Sequence, residues 1–259
     1  MTAYSTRGRL SGEQMAHYRE HGYLIYDRPL FTEAKFKRLV GHFEGLLERW
    51  TVEGRQSSEH MDTPHFRDPG LFQWLLDDQV LNLVESVIGP DIALFSSHFI
   101  CKPPVVGKRV PWHEDSAYWG RRLEPMEVVT VWLAIDPATP DNRCMRVIPG
   151  THHDSNSSYQ DVDDPSRQVF RAEILPELID ESQAVDIILT PNHCSLHHAK
   201  LIHGSAANTG TMRRCGYTMR YTPTTVKHQT RPDFQIYLAR GRDHAGNLSG
   251  DPSKPFEAR

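Results

Sequence analysis

The sequence predicts a mainly β fold with flanking helices, in which short strands form a sandwich or a barrel. Two observations support this prediction. After residue 90, short segments rich in β-branched and aromatic residues follow one another, separated by Pro, Gly, Asn and Asp. Helical patterns fall between residues 11 and 88, so no long helix alternates with the strands. The chain has 259 residues, enough for one sizeable hydrophobic core.

The N-terminal part, residues 1–90, is predicted to be mainly helical and to pack on the β core. Ser11 is a suitable N-cap for a first helix, and Gly22 is suited to end it. Thr32 can cap a second helix, because the apolar residues after it recur at the spacing of one helix face. The other elements predicted here are a short strand at 23–26, a polar loop at 53–69 and a helix at 71–88.

The predicted β core occupies residues 91–225. One face of the strand at 128–135 is purely apolar, whereas the other combines Thr130 and Trp132 with small residues. That mixed face fits a pocket wall, and it fits a second buried face of a sandwich equally well. The predicted strands are 92–101, 127–135, 144–148, 184–189, 193–198 and 214–221.

The last segment, residues 240–259, is rich in Gly, Asp, Asn, Ser and Pro. This composition predicts a flexible tail, or a lid that becomes ordered with substrate. The sequence has no internal repeat, and we treat residues 1–259 as a single domain.

Composition and charge exclude several classes of function. The net charge is -4 and no long basic block is present, so neither nucleic acid nor an anionic membrane is an expected partner. No run of 18 apolar residues occurs, and residues 1–7 contain no apolar signal core. The four cysteines form no CxxC motif, which favours reduced thiols in a cytoplasmic protein. A small molecule is the expected partner, and the oligomeric state is not predicted.

Histidine and aspartate are arranged in a way that suggests a metal site. Mononuclear non-haem Fe(II) sites use two histidines and one carboxylate, and His-x-Asp places two of these ligands on the same side of a strand. About one such pair is expected by chance among 15 histidines at ordinary Asp usage. The sequence has three: His60/Asp62, His113/Asp115 and His152/Asp154.

The position of each pair favours His113/Asp115. It lies between two predicted strands, and aromatic residues such as Trp112 surround it, as a dry site requires. His60/Asp62 lies in the predicted polar loop, and His152/Asp154 leads into a polar stretch of Ser and Asn.

The segment at 193–221 supplies further candidates. A third metal ligand is available among four histidines, His193, His197, His198 and His203. Arg213 and Arg214 begin a strand, and the planar fork of an arginine suits the distal carboxylate of 2-oxoglutarate. Strand parity favours Arg214, which shares its face with Gly216 and Thr218, small residues that leave room for a cosubstrate.

These motifs resemble the phytanoyl-CoA dioxygenase (PhyH) family of Fe(II)/2-oxoglutarate-dependent oxygenases. The resemblance covers most of the chain, and four matches occur in the same order as in the family. They are Tyr18-Arg19-Glu20-His21-Gly22-Tyr23, the metal segment from Pro111 to Gly120, the strand and turn from Asp141 to His152, and His203-Gly204-Ser205 with Asn208 and Arg214.

The resemblance implies a double-stranded β-helix core, also called a jelly-roll or cupin-like fold. It implies His113, Asp115 and His203 as ligands of Fe(II), and Arg214 as the partner of the 2-oxoglutarate C5 carboxylate. Ser205, Thr130 and Lys102 are implied, less directly, in the cosubstrate pocket. The implied reaction uses O2 to hydroxylate or otherwise oxidise a small organic molecule, with succinate and CO2 as co-products. A carboxylate at position 115 favours hydroxylation over halogenation.

Residues that follow the metal segment are candidates for the substrate pocket. Tyr118, Trp119 and Arg121 are the candidates to face it. Arg121 with Arg122 offers a site for an anionic substrate, but a solvated loop is the favoured interpretation of the two arginines, because arginine is rarely buried. Two positions depart from the family pattern. Arg143 stands where glycine is usual in a turn, and Pro191-Asn192 stands where a glycine turn is common.

Two other functions remain open at this stage. One is a cupin-like hydrolase or isomerase that would use Zn(II) or Mn(II) and ignore 2-oxoglutarate. The other is a non-enzymatic metal-binding sensing module.

Overall fold

The computed structural model describes residues 8–52, 59–154 and 157–257. Four stretches to which the predictions above refer lie outside the described residues. They are the N-terminal segment 1–7, residues 53–58 of the predicted loop, Ser155-Asn156 and the final residues 258–259.

The first helix begins and ends where the sequence predicts. The Ser11 side chain accepts a hydrogen bond from the Gln14 backbone, and the Gln14 side chain accepts one from the Ser11 backbone, which forms a capping box. Gly22 ends the helix at φ 77°. The helices are α1 Gly12–His21, α2 Glu33–Val52, α3 Phe72–Leu75, α4 Asp78–Ile88 and α5 Ser116–Trp119.

The single helix predicted over 71–88 is instead two helices, α3 and α4. Leu76 leaves the helical conformation, and the Asp77 side chain accepts a hydrogen bond from the Gln79 backbone to cap α4. An aspartate at this position competes for backbone hydrogen bonds, so it starts a new helix rather than continuing the old one.

The strands form two main sheets. The larger has seven strands in the order β1-β11-β6-β13-β3-β15, with β2 on β3, and the smaller has the order β10-β7-β12-β4. The strands are β1 Tyr23–Tyr26, β2 Met61–Asp62, β3 Ile92–Lys102, β4 Val110–His113, β5 Leu123–Glu124, β6 Val129–Ala134, β7 Arg146–Val147, β8 Tyr159–Asp161, β9 Ala172–Ile174, β10 Val185–Asp186, β11 Cys194–His198, β12 His203–Ser205, β13 Arg214–Pro223, β14 Lys227–His228 and β15 Tyr237–Arg240.

The two faces of β6 have different environments, as its alternating sequence predicts. Val129, Val131 and Leu133 are buried in the main core, together with side chains from α2 and α4. Trp132 points to the other face, where it meets residues of the smaller sheet such as Val147. The site described below lies on this inner face. The predicted double-stranded β-helix with flanking helices is confirmed.

Several strands near the site are too short or too polar to be predicted. β4 and β12 are missing from the predicted set, although they carry His113 and His203. β2 lies in the segment interpreted as a polar loop, and it pairs with β3 through Met61↔Phe99 and Asp62↔His98. Neighbouring strands define these elements, and their local sequence does not.

The C-terminal segment runs along the larger sheet. β15 pairs with β3, and the Gly250 backbone donates a hydrogen bond to the Ile236 carbonyl. The Phe256 backbone donates to the Phe66 carbonyl, and the two phenyl rings lie 4.7 Å apart. Its role as a lid stays a prediction.

Both turns that depart from the family pattern contain a residue with positive φ. Arg143 adopts φ 59°, a conformation in which glycine would be less strained. Asn192 adopts φ 67°, which asparagine tolerates well, and its side-chain amide bonds both the N–H and the carbonyl of Phe31. The second departure therefore anchors the loop before α2 to the sheet.

A buried histidine predicts how the stability of the fold depends on pH. His65 packs against Phe72 and Tyr237, and burial lowers its pKa to about 3. The unfolded chain takes up a proton near pH 6.5 whereas the folded chain does not, so stability is lost as the pH falls from 6.5 towards 3. The expected contribution is about 1.4 kcal/mol per pH unit. Urea unfolding of the wild type and of His65→Gln between pH 6 and pH 4 measures the unfolding free energy at each pH. Its change per pH unit should be smaller by that amount in His65→Gln, and parallel curves for the two proteins would contradict the prediction.

No helix within the described residues is both long and apolar enough to cross a membrane.

Candidate metal centre and adjoining cavity

Two histidines and one carboxylate meet on the inner face of the jelly-roll. His113 ends β4, Asp115 follows it by two residues, and His203 begins the adjacent strand β12, directly opposite His113. One ligand atom from each residue lies within 4.8 Å of the other two, and all three side chains are buried. Among the described residues, this is the one group of His, Cys, Asp or Glu with that spacing.

Backbone carbonyls orient the two imidazole rings. His113 Nδ1 lies 2.8 Å from the Pro111 carbonyl oxygen, and His203 Nδ1 lies 2.9 Å from that of Leu201. Since a carbonyl only accepts, each Nδ1 carries the proton and each Nε2 keeps its lone pair towards Asp115. This arrangement presents two neutral nitrogens and a carboxylate oxygen, the donor set that suits Fe(II).

The environment stabilises the charge states that metal binding requires. Burial lowers the pKa of His113 and His203, so both rings are neutral at pH 7. Burial alone would raise the pKa of Asp115, but the Arg220 guanidinium and the surrounding histidines hold it well below its usual value. The three ligands are therefore ready to bind a cation without losing a proton.

Arg220 links the carboxylate ligand to a second group of polar residues. Its Nε and Nη2 each lie 3.2 Å from one oxygen of Asp115. Its Nη1 donates to His98 Nδ1, and His98 Nε2 donates to Asp62 at 2.5 Å. This network comes from β2, β3 and β13, and it fixes the orientation of the Asp115 carboxylate.

Replacing Arg220 should destabilise the metal-free protein much more than the metal-loaded protein. Arg220→Gln leaves the buried Asp115 charge without its partner, which costs about 3 kcal/mol of unfolding free energy. A divalent ion at the same carboxylate supplies the missing positive charge, so saturating Ni(II) should restore most of the loss. Denaturant unfolding with and without Ni(II) measures both quantities.

Arg213→Gln is the matched control. Arg213 directly precedes β13 and pairs with Asp136 and Glu44 rather than with a metal ligand, so Ni(II) should stabilise this variant only as much as the wild type. An equal response to Ni(II) in both variants would show that Arg220 does not act on the metal ligand.

A buried arginine and a buried lysine lie beside the metal ligands. Arg214 and Lys102 are directly opposite each other on β13 and β3. Burial lowers the pKa of Arg214 to about 10, and burial together with Arg214 lowers that of Lys102. Arg214 Nε has no hydrogen-bond partner among the described residues. A carboxylate bound here would satisfy this donor, so the site fits the distal carboxylate of 2-oxoglutarate.

Lys102 and Ser205 form one hydrogen-bonded unit. Lys102 Nζ donates to the Ser205 hydroxyl at 2.6 Å, and to the carbonyls of Ser205 and Ala206 at 3.2 and 2.7 Å. Ser205 Oγ also lies 3.4 Å from Arg214 Nη2. A small cavity, here called the metal-centre cavity, is lined by the three metal ligands together with Arg214 and Ser205. Lys102 does not line it and supports Ser205 from behind. Thr130 is buried on the same face of β6 as Trp132.

The small residue at position 216 makes space for an indole ring. A Cβ atom at Gly216 would lie 2.1 Å from Cζ2 of Trp132, so the ring lies against this glycine. The prediction that Gly216 leaves room for a cosubstrate is therefore wrong in its detail: Trp132 fills that space. Trp132 itself lines the cavity, and the Arg214 guanidinium lies 5.6 Å from its ring. Thr218 lines the cavity as predicted.

His197 is buried near the ligands without being one of the three. Its Nε2 lies 3.7 Å from Asp115 Oδ2, and neither ring nitrogen has a hydrogen-bond partner among the described residues. Its ring lies 4.8 Å from that of His203. His198, by contrast, accepts a hydrogen bond from the Lys200 backbone, and His193 contacts Thr190.

A cavity of about 360 Å3 adjoins the metal centre. Tyr118 and Trp119, two of the candidates for the substrate pocket, line it. Arg121 is exposed and is not among the residues that line this cavity, whereas its neighbour Arg122 is. The short helical turn after Trp119 reverses which of the two arginines faces inward.

Other residues of this cavity are not predicted from the sequence. Their local sequence places His60 and Asp62 in a polar loop, yet both line this cavity, and His60 also lines the metal-centre cavity. Phe170 lines both cavities, and its ring lies 4.9 Å from the His113 ring. The sequence does contain a signal for Arg220, because the alternation of side chains along β13 places it on the same face as Arg214.

The fold and the site define a double-stranded β-helix protein with a candidate metal centre of two histidines and one carboxylate. The chain belongs to the phytanoyl-CoA dioxygenase (PhyH) family, whose profile matches residues 18–216.

Three relatives show how far the similarity extends along the chain. A phytanoyl-CoA dioxygenase domain-containing protein 1 homolog of Caenorhabditis elegans is 29% identical over 60% of this chain. The peroxisomal phytanoyl-CoA dioxygenase of Homo sapiens is 28% identical over 77% of it. A probable alpha-ketoglutarate-dependent hypophosphite dioxygenase of Stutzerimonas stutzeri is 24% identical over 65%. The alignments cover 55%, 64% and 58% of these relatives, so the chain matches less than two thirds of each.

A solved structure supports the fold over nearly the whole chain. The non-heme monooxygenase ThoJ superimposes with a TM-score of 0.77 at 23% identity, covering 94% of this chain and 90% of ThoJ.

Proposed function

We propose that this protein is a mononuclear non-haem Fe(II) oxygenase that uses 2-oxoglutarate and O2 to hydroxylate, or otherwise oxidise, a small organic molecule. The observation that carries the proposal is the buried group His113, Asp115 and His203 next to the guanidinium of Arg214, whose Nε has no partner among the described residues. Family membership and the named 2-oxoglutarate dependence of one relative support it.

Each residue has a distinct role in this proposal. His113 and His203 offer neutral Nε2 atoms to iron, and Asp115 offers one carboxylate oxygen. Arg214 and the Ser205 hydroxyl hold the distal carboxylate of 2-oxoglutarate, and Trp132 closes that side of the cavity to water. When bound, iron and 2-oxoglutarate supply the oxidising equivalent from O2, with release of succinate and CO2.

The proposed site separates cosubstrate from substrate. Arg214 lies in the metal-centre cavity but not among the residues of the 360 Å3 cavity, whereas Asp115 and Phe170 line both. In this proposal the organic substrate occupies the 360 Å3 cavity, and its reacting carbon lies beside Phe170, towards the metal centre. Localisation in the cytoplasm is also proposed, since the four cysteines are buried and unpaired.

The test is the anaerobic absorption spectrum of the Fe(II)-loaded protein during titration with 2-oxoglutarate. Chelation of iron by 2-oxoglutarate should produce a weak charge-transfer band in the visible range that saturates at one equivalent. A folded, iron-replete protein that gives no band would overturn the proposal.

A further inference from the structure

The 360 Å3 cavity contains several charged residues, and most of them are already paired. Arg220 binds Asp115, Asp62 binds His98, and Arg231 binds Asp233 through contacts of 2.9 and 2.6 Å. These side chains satisfy one another, so none of them requires a charged ligand.

Arg122 is different. Its side chain lines the cavity, and no hydrogen bond or ion pair to it is found among the described residues. Its backbone carbonyl accepts a hydrogen bond from Gln229, which ties it to the loop that carries Arg231 and Asp233. Two guanidinium groups therefore accompany a single carboxylate on this wall, that of Asp233, which binds Arg231 and also attracts Arg122. The whole cavity is lined by three arginines and three aspartates, so the excess positive charge is confined to the wall of Arg122, Arg231 and Asp233.

The same wall extends into a second cavity of about 300 Å3. Arg122, Arg231, Phe95 and Phe234 line both cavities. Arg122 thus lies where the two cavities meet. The metal ligand Asp115 lines the 360 Å3 cavity but not the 300 Å3 cavity. A ligand held by Arg122 would extend from this junction towards the metal centre.

Aromatic rings line the space between these two points. Phe95 and Trp119 meet edge to face with centroids 5.0 Å apart, and Tyr118 and Phe170 lie 4.9 Å apart. Such walls favour a flat or apolar body. At ~30 Å3 per water molecule, the cavity volume suits a ligand of on the order of a dozen non-hydrogen atoms.

We propose that this cavity binds a small organic anion, whose carboxylate or phosphate pairs with Arg122 and whose apolar body lies between the aromatic rings. This inference rests on the proposed function only in taking the cavity as the substrate site. Arginine suits the role because its planar fork matches both oxyanions in a bidentate manner. Arg122 is then the residue that selects a charged substrate over its neutral analogue.

The experiment compares acids with their neutral counterparts. The probes are phenylalkanoates from phenylacetate to 6-phenylhexanoate, the matching primary amides, and 3-phenylpropyl phosphate. Binding is measured by ligand-observed NMR on Ni(II)-loaded protein with saturating 2-oxoglutarate, so that the site at Arg214 is already filled. At least one anion should bind about tenfold to a hundredfold more tightly than its neutral partner. The carboxylate and phosphate arms show which oxyanion is preferred.

The adjacent arginines provide a matched pair of variants. Arg122→Ala should abolish the preference, so that the acid and its amide bind with about equal affinity. Arg122→Lys should retain part of the preference. Arg121→Ala removes the same charge from an exposed position and should leave the preference unchanged. Equal binding of acids and amides, failure of every anion to bind, or an equal loss in Arg121→Ala would each overturn the proposal.

The spectrum of the Fe(II) protein with 2-oxoglutarate separates this inference from the proposed function. Arg122→Ala should retain the charge-transfer band while losing the preference for the anion. If the wild-type protein showed the preference without the band, the oxygenase proposal would fail and the anion site would stand.

Discussion

Replacement of His203 by alanine is expected to lower the affinity for Fe(II) or Ni(II) by more than about 100-fold. Residues that only orient a ligand typically contribute about 10- to 100-fold to metal affinity, so the loss of a ligand should exceed that range. The structure gives His203 the role of a ligand because the Leu201 carbonyl engages its Nδ1 and leaves its Nε2 free, and because a ligand atom of His203 lies within 4.8 Å of those of Asp115 and His113. Calorimetric titration with Ni(II) measures the affinity, and the 2-oxoglutarate band should disappear with it.

His197→Ala is the most demanding control for this prediction. His197 is as buried as His203 and its ring lies within 5 Å of it, so the two variants create similar cavities. Yet only His203 belongs to the group with the spacing of a metal site. Metal affinity in His197→Ala should fall by about 100-fold at most. A greater loss there than in His203→Ala would mean that the ligand set has been assigned wrongly.

The parts of the site that could be predicted lie within single strands. Alternation along β6 correctly separated Val131, which lies in the core, from Trp132 on the other face, because a strand turns successive side chains to opposite faces. It left open whether the Trp132 face was a pocket wall or a second buried face, and in the structure Trp132 lines the metal-centre cavity. The same rule separated Arg214, which is buried beside Ser205, from Arg213, which pairs with acidic residues on the outer face. The His113/Asp115 pair could likewise be recognised from the sequence, because residues two apart in a strand point to the same side.

The parts that could not be predicted depend on partners distant in the chain. Asp62, His98, Arg220 and Asp115 form one network, but they come from four separate segments, and its polar partners can be identified only once the register of β3 with β2 and β13 is known. The paired charges also could not be told from solvated ones, since polarity alone does not reveal burial. Arg121 and Arg122 illustrate the same limit, because a short helical turn decides which one faces inward.

Arg214 is the residue whose replacement best separates an oxygenase from a cupin-like hydrolase. Arg214→Ala should weaken 2-oxoglutarate binding by roughly 2 to 5 kcal/mol, the usual cost of removing one partner of a buried charge pair. This corresponds to a loss of affinity of about 30-fold or more. Metal affinity should remain within a few fold of the wild type, because Arg214 contacts Ser205 and the Trp132 ring rather than a metal ligand.

The measurement is the titration of the charge-transfer band with 2-oxoglutarate in three variants. Arg214→Lys should be intermediate, because an ammonium keeps the charge but cannot form the planar two-point contact. Arg213→Ala is the matched control, since the adjacent arginine is engaged with Asp136 and Glu44 and should leave the titration unchanged. Unaltered 2-oxoglutarate affinity in Arg214→Ala would mean that no carboxylate clamp operates at this position. Because the buried Nε of Arg214 has no other acceptor among the described residues, such a result would also leave the burial of this guanidinium without a functional reason.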